Sequence, residues 1–240
     1  MPERRSPPRR RLAILLAALL VALAFGGGAA LAQGGAADPA ALRARYARPD
    51  SIPFPADNPY SEAKARLGHA LFFDPRLSGS NAMSCASGHN PALGWEDGLP
   101  TGRGEAANTL HRATPTILNL AWAEPLMWDG RAESLEAQAL GPIQAGVEMN
   151  QKLPDLIAEL SALPGYRRLF QAAYGREEVT APGIAEAIAT FERTIVSNLS
   201  PFDRWVRGEE AAIGQAAKRG FALFNARQLR RLPFRLAPQR

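Results

Sequence analysis

The sequence predicts an all-α domain whose helices are held around a ligand by long loops, and three observations carry that prediction. Apolar residues recur at three- and four-residue spacing in several windows, the period of a helix with one buried face. No run alternates apolar and polar residues as a half-buried strand would, and no internal repeat is visible. Residues 76–130 carry Gly, Pro, Asn and Ser at close intervals, an irregular stretch too long for a mere connection inside a compact domain.

Taken in order, residues 1–32 read as a signal peptide. Arg4, Arg5, Arg9, Arg10 and Arg11 precede an apolar run from Leu12 to Phe25, and Ala30-Leu31-Ala32 offers small residues for cleavage before Gln33. The apolar run falls short of the roughly 20 residues a bilayer span needs, which favours cleavage over a stable membrane anchor. Residues 33–60 read as an extended arm, because Pro49, Pro53, Pro55 and Pro59 deny it a regular helix.

The body of the domain is expected over residues 61–225. From Ser61 a helix is predicted through Ala63, Leu67, Leu71 and Phe72, stopped by Asp74-Pro75. Beyond the loop region, Leu153, Leu156, Ile157 and Leu160 form one stripe, ended by Pro164-Gly165. Ile184, Ile188, Phe191 and Ile195 form another after Thr180, and a last helix is expected from about Glu210 to Phe224.

A net charge of +5 invites a nucleic-acid partner, but the charge sits at the two ends. The signal contributes net +4 and residues 226–240 net +5, leaving residues 33–225 at net −4. Such a body offers no broad phosphate-binding face, so nucleic acid is excluded as a partner. The single cysteine excludes an internal disulfide framework, and the chemistry of Cys85 therefore depends on its neighbours.

Those neighbours are Ser84-Cys85-Ala86-Ser87-Gly88-His89-Asn90, one substitution from the C-x-x-C-H signature of covalent haem attachment, with Gly88 where the second cysteine belongs. In that signature two thiols on a short turn bond the vinyl groups and the histidine meets the iron. Losing one thiol leaves the ligand. Taken alone, the match is also that of an incidental Cys-His pair.

The flanking segments carry more. They are Pro53-Phe54-Pro55 with Asp57-Asn58-Pro59; Leu67-Gly68 with Leu71-Phe72-Phe73-Asp74-Pro75-Arg76-Leu77-Ser78-Gly79; Gly94-Trp95 with Asp97-Gly98; and Thr114-Pro115-Thr116 with Leu118-Asn119. Then come Trp128-Asp129-Gly130-Arg131 with Ser134-Leu135-Glu136, Gly141-Pro142-Ile143, Glu148-Met149, Pro164-Gly165-Tyr166, Phe191-Glu192-Arg193-Thr194 and Ser200-Pro201-Phe202-Asp203-Arg204-Trp205. Through these segments the chain resembles the amino-terminal half of the bacterial di-haem cytochrome c peroxidase family, which includes the tryptophan-tryptophylquinone maturation enzyme.

The resemblance implies an all-α, cytochrome c-like domain holding the peroxidatic haem, with most of the second haem domain absent. It implies one haem c, bonded through a single thioether at Cys85 with His89 as the proximal iron ligand. Glu148 would be the acid/base acting on bound peroxide, Gln138 a second polar group facing it, and Trp128 an aromatic relay between haems. The implied activity is that of a periplasmic cytochrome-c peroxidase, reducing hydrogen peroxide with electrons from cytochrome c or a cupredoxin.

Other residues are left with alternatives. Without the family, Gln138 reads as a solvated helix residue, Trp128 as core packing and Glu148 as a surface carboxylate. Arg131 is a haem contact through a propionate or a buried salt-bridge partner of Asp129. His111 is a candidate distal ligand, His69 a structural residue, and Met149 a packing residue. Calcium is not expected, because Ala113 stands where relatives often have asparagine.

The resemblance stops at Arg227-Gln228-Leu229-Arg230-Arg231-Leu232-Pro233-Phe234, where relatives carry a second C-x-x-C-H. One set of GC-rich codons for Arg227–Ala237, read one base later, gives Ala-Asn-Cys-Ala-Ala-Cys-His-Ser-Gly-Trp, so residues 226–240 are expected to be a frameshifted tail. The alternative is an arginine-rich tail for an acidic partner or membrane surface. Three functional readings follow: a peroxidase impaired in this chain, a mono-haem electron-transfer protein without turnover, and a remnant without haem.

Overall fold

The computed structural model describes residues 39–123 and 125–226. The expected signal peptide, the first residues of the expected arm and nearly all of the expected tail lie outside the described residues. The described chain is helical: α1 (Pro39–Ala44), α2 (Glu62–Phe72), α3 (Cys85–Gly88), α4 (Leu135–Gln144), α5 (Leu153–Ala162), α6 (Pro164–Tyr174), α7 (Ala181–Arg193), α8 (Pro201–Val206) and α9 (Gln215–Ala226). Pairing between extended segments is limited to three isolated bridges among the described residues. No described helix is long and apolar enough to cross a membrane.

The chain divides into two units. Residues 39–48 and 201–212 form the smaller, where Arg43 lies 5.2 Å over the Trp205 ring and pairs with Glu210. The extended arm expected over 33–60 therefore departs from expectation at α1, which Pro39 opens without needing its missing N–H. Residues 49–60 carry no helix, in keeping with their four prolines.

Residues 49–200 and 213–226 form the larger unit, and its core is built by α2, α4, α5, α6 and α7. Ser61 caps α2 by accepting the Lys64 N–H at 3.1 Å, and Asp74 ends it by turning to accept the Arg76 N–H at 2.9 Å. Thr180 caps α7 in the same way on Gly183 at 3.2 Å. α2 and α7 cross at Gly68, where a β-carbon would stand 1.9 Å from the Ala187 carbonyl oxygen, so only glycine lets these helices touch. Leu67, Leu71, Phe72, Leu156, Leu160, Phe170, Ile184 and Ile188 fill the contact and are buried.

Two helices lie where sequence signals were ambiguous. Pro164-Gly165 ends α5, as predicted, and also opens α6, since proline is well suited to a first helical turn. The expected helix from Glu210 instead starts with a short 3₁₀ turn, Glu210–Ala212, and resumes as α9 at Gln215.

A buried polar network locks the arm residue Asn58 into this core. Lys64 Nζ donates to Asn58 Oδ1 at 2.6 Å, Asn58 Nδ2 donates to Glu136 Oε1 at 2.7 Å, and Arg193 grips Glu136 with two bonds of 2.6 and 3.0 Å. α2, α4 and α7 are thereby tied to one another and to the Pro-rich arm. The long loop 76–130 is then held against a rigid frame.

Candidate functional site

The motif occupies a single short helix. Ser84 precedes it, with its N–H donating to Ser87 Oγ at 3.0 Å, and the His89 N–H donates to the Cys85 carbonyl at 2.9 Å. Cys85 and His89 thus stand at the two ends of one turn of α3. The Cys85 sulfur is desolvated against the core, and burial, with the Glu192 charge adding, pushes its thiol up to about 12. A neutral thiol is a poor ligand for a free metal ion and a poor redox centre.

His89 is fixed by its second nitrogen. Its Nδ1–H donates to the Trp95 carbonyl at 3.3 Å, and Phe72 flanks the ring at 6.4 Å between centroids. Burial pulls the imidazole below its usual pKa, while the Trp95 and Pro115 carbonyls and the Asp97 charge oppose this. A neutral imidazole oriented through Nδ1 is the form in which Nε2 ligates a metal.

The remaining expected residues lie on the loops around this turn. Glu148 is half-buried, and burial raises its carboxyl above the usual range against the opposing charge of Arg131. Its backbone is held by the loop 101–110: the Glu105 N–H donates to the Glu148 carbonyl at 2.6 Å. A β-carbon on Gly104 would stand 1.9 Å from the Val147 oxygen. Met149 is buried in the core, the packing role expected of it.

Gln138 is half-buried on α4 with Nε2 at 3.9 Å from Met127 Sδ. Trp128 is 66% exposed, so core packing is excluded for it, and its Nε1–H donates to the Ala113 carbonyl at 2.8 Å. Arg131 corrects one expectation: it does pair with Asp129, at 2.8 Å, but the pair is exposed rather than buried, and Arg112 reaches the same carboxylate at 3.1 Å. These guanidiniums, Arg131 first, hold the Asp129 carboxyl below the usual range. His111 is exposed, and His69, also exposed, packs its ring on Phe73 and Phe191.

The loop 94–131 therefore connects the expected residues without merging them into one cluster. Trp95 and Pro115 face His89, Thr114 stands over Gly88, Ala113 holds Trp128, and Arg112 reaches Asp129. Sequence reasoning missed the clamps at Trp95, Pro115 and Thr114, although each lies in a segment that carried the resemblance. A separate cleft of about 190 Å³, lined by Phe54, Leu120, Leu126, Leu135 and Arg193 among others, includes none of the expected site residues.

These residues fit a covalently attached haem. A haem iron brings four ring nitrogens of its own and asks the protein for a single oriented imidazole, which His89 offers. Cys85 offers a protonated thiol for a thioether, and His89 an oriented imidazole.

Comparison with known proteins decides the family. Residues 62–211 match the family described as di-haem cytochrome c peroxidase. The chain belongs to the di-haem cytochrome c peroxidase family. It is 53% identical over 197 residues to the methylamine utilization protein MauG of Methylorubrum extorquens, covering 82% of this chain and 56% of that protein. It is 36% identical over 197 residues to the cytochrome c551 peroxidase of Pseudomonas aeruginosa, covering 81% and 57%. Among solved structures, a MauG-like protein associated with microbial copper homeostasis superposes with a TM-score of 0.67 at 34% identity, covering 74% of this chain and 53% of that one. The chain spans little more than half the length of the curated relatives it matches. The all-α, cytochrome c-like haem domain expected from the sequence agrees with this peroxidase family, which implies c-type haem binding.

Proposed function

We propose that this chain holds one haem c through a single thioether at Cys85 and the His89 imidazole, and reduces hydrogen peroxide with electrons from a small periplasmic donor, cytochrome c or a cupredoxin. The observation that carries the reading is the α3 turn itself, which presents a neutral thiol and, one turn on, an imidazole oriented by the Trp95 carbonyl. When bound, the haem supplies the redox chemistry that splits the O–O bond. The protein supplies the proton traffic. Glu148, half-buried and raised by burial, takes a proton from one peroxide oxygen and returns it to the other. Gln138 orients the peroxide through its amide, and Trp128 passes electrons toward the site. Arg131 keeps the Glu148 carboxyl ionisable.

The Arg-rich start followed by a short apolar run supports export to the periplasm with signal cleavage. The tail reading is also ours: residues 226–240 are out of frame, and DNA lacking C-x-x-C-H one base later over Arg227–Ala237 ends that idea.

A mono-haem electron-transfer protein without turnover is the second reading, favoured by the exposure of Trp128. The experiment that separates them is peroxide-dependent oxidation of reduced cytochrome c by haem-loaded protein. Turnover that Glu148→Gln abolishes supports the peroxidase; haem-loaded protein that leaves peroxide untouched overturns it.

A further inference from the structure

Gly94-Trp95 adjoins the haem motif, and while the Trp95 carbonyl orients His89, its indole has no part in the chemistry proposed above. Trp95 is nevertheless coupled to His89 twice. Its carbonyl accepts the His89 Nδ1–H at 3.3 Å, and its indole packs at 6.0 Å on Phe72, the ring that flanks His89 at 6.4 Å. The backbone is left-handed there, with φ of 65°, a conformation bulky residues rarely adopt and one that persists only when the surroundings enforce it. They do so here: the Trp95 N–H donates to the Asn90 carbonyl at 2.8 Å, and the indole also packs against Phe73 and Phe191 at 6.5 and 6.3 Å.

This ring cluster runs from the interior to solvent. Phe72 is fully buried, Trp95 is half-buried, and Phe73 is 37% exposed. Phenyl rings in such a cluster have no accessible one-electron oxidised state, whereas an indole does. Trp128, the other aromatic considered for electron passage, is anchored to Ala113 rather than to the proximal turn.

We infer that Trp95 is an electron relay into the haem held at His89, through which a one-electron donor can act without a second haem. This rests on the reading of Cys85 and His89 given above. Reduction of one hydrogen peroxide to two waters takes two electrons and two protons. One electron leaves the Trp95 indole through its carbonyl and the His89 imidazole; the haem would supply the other, which a second donor electron entering at Trp95 makes good. The indole becomes a cation radical that keeps its N–H proton, no bond in Trp95 breaks, and a one-electron donor such as ferrocyanide or reduced cytochrome c returns the electron at the solvent edge.

The test uses the full chain matured with haem in a periplasm, its haem content verified by spectrum, and tryptophan deuterated on the ring. The sample is mixed with hydrogen peroxide, frozen within milliseconds and read by electron paramagnetic resonance. The expected signal is an indole radical narrowed by deuteration, retained in Trp128→Phe and lost in Trp95→Phe. Trp95→Tyr, which keeps an oxidisable ring, replaces it with a tyrosyl signal that tryptophan deuteration does not touch, and decides the matter should Trp95→Phe fail to take up haem. An indole signal that survives in Trp95→Phe or in Trp95→Tyr, or none in wild type of verified haem content, overturns the relay alone. Protein without haem overturns the site reading and the relay with it.

Discussion

A β-carbon at Gly88 would stand 3.7 Å from Thr114 Cγ2 and 4.0 Å from its Oγ1, ordinary van der Waals separations. The turn that carries Cys85 thus retains room for a thiol at the position where the motif lacks one. Gly88→Cys is expected to fold unchanged and to attach haem through two thioethers, seen as a shift of the denatured haemochrome band to the two-thioether position. A band that stays at the single-thioether position, with the introduced thiol still free to react with a thiol reagent, would show that α3 does not face the haem edge.

On the proposed reading, Glu148 gives the reaction its pH dependence. Burial raises its carboxyl and Arg131 opposes that rise. Because the base form is the carboxylate, peroxide turnover is expected to increase with pH through a midpoint above the usual glutamate value of about 4.3. Arg131→Gln removes the opposing charge and moves the midpoint further up. Glu148→Gln lowers the rate by on the order of 100- to 10,000-fold, the usual scale of a lost acid/base. A rate profile that Glu148→Gln leaves intact contradicts the assignment.

Arg193 is the stability hinge of the frame. Its guanidinium is buried against half-buried Glu136, and the pair is completed by Asn58 and Lys64. Removing Arg193 takes two charge-assisted bonds from half-buried Glu136, so Arg193→Met is expected to cost about 1.5–3 kcal/mol in urea denaturation. Burial alone would raise the Glu136 carboxyl, but Arg193 and Asn58 outweigh it and hold it below the usual range. The pair's contribution is therefore present above the usual glutamate pKa and lost as pH falls through the lower folded value. A loss below about 1 kcal/mol, the range of an exposed pair, would contradict this.

Glu192 behaves in the opposite sense. Burial pushes its carboxyl up to about 8, with Arg193 opposing and Glu136 adding, and one of its oxygens has no partner among the described residues. The folded chain holds this proton over a pH range in which the unfolded chain has released it, so stability should fall as pH rises from about 4.5 to about 8. Glu192→Gln is expected to flatten that fall and to stabilise the protein at pH 8. An unchanged slope would show that Glu192 is hydrated in solution.

The sequence made α2 and α7 legible because each joins an apolar stripe to a stop or start with one meaning, Ser61 and Asp74 for α2 and Thr180 for α7, and α5 was legible by its stripe. α6 was hidden because Pro164-Gly165 can close one helix and open the next. α4 was hidden because Gly141-Pro142 sits inside it. Cys85 and His89 were legible by spacing. The clamps on them were not, since Trp95 and Pro115 act through backbone carbonyls, which leave no side-chain pattern to read. Arg131 shows a further limit: its partner Asp129 is two residues away and was foreseen, but exposure depends on where α4 and the loop 101–110 come to rest.

The central claim is that a haem is bonded at Cys85 and ligated by His89. The most direct measurement is the pyridine haemochrome spectrum of the denatured chain, expressed in a periplasm that supplies haem maturation. The account predicts a covalently retained pigment with a single-thioether band that is lost in Cys85→Ser. Colourless protein under those conditions, or pigment that survives Cys85→Ser after denaturation, would contradict it.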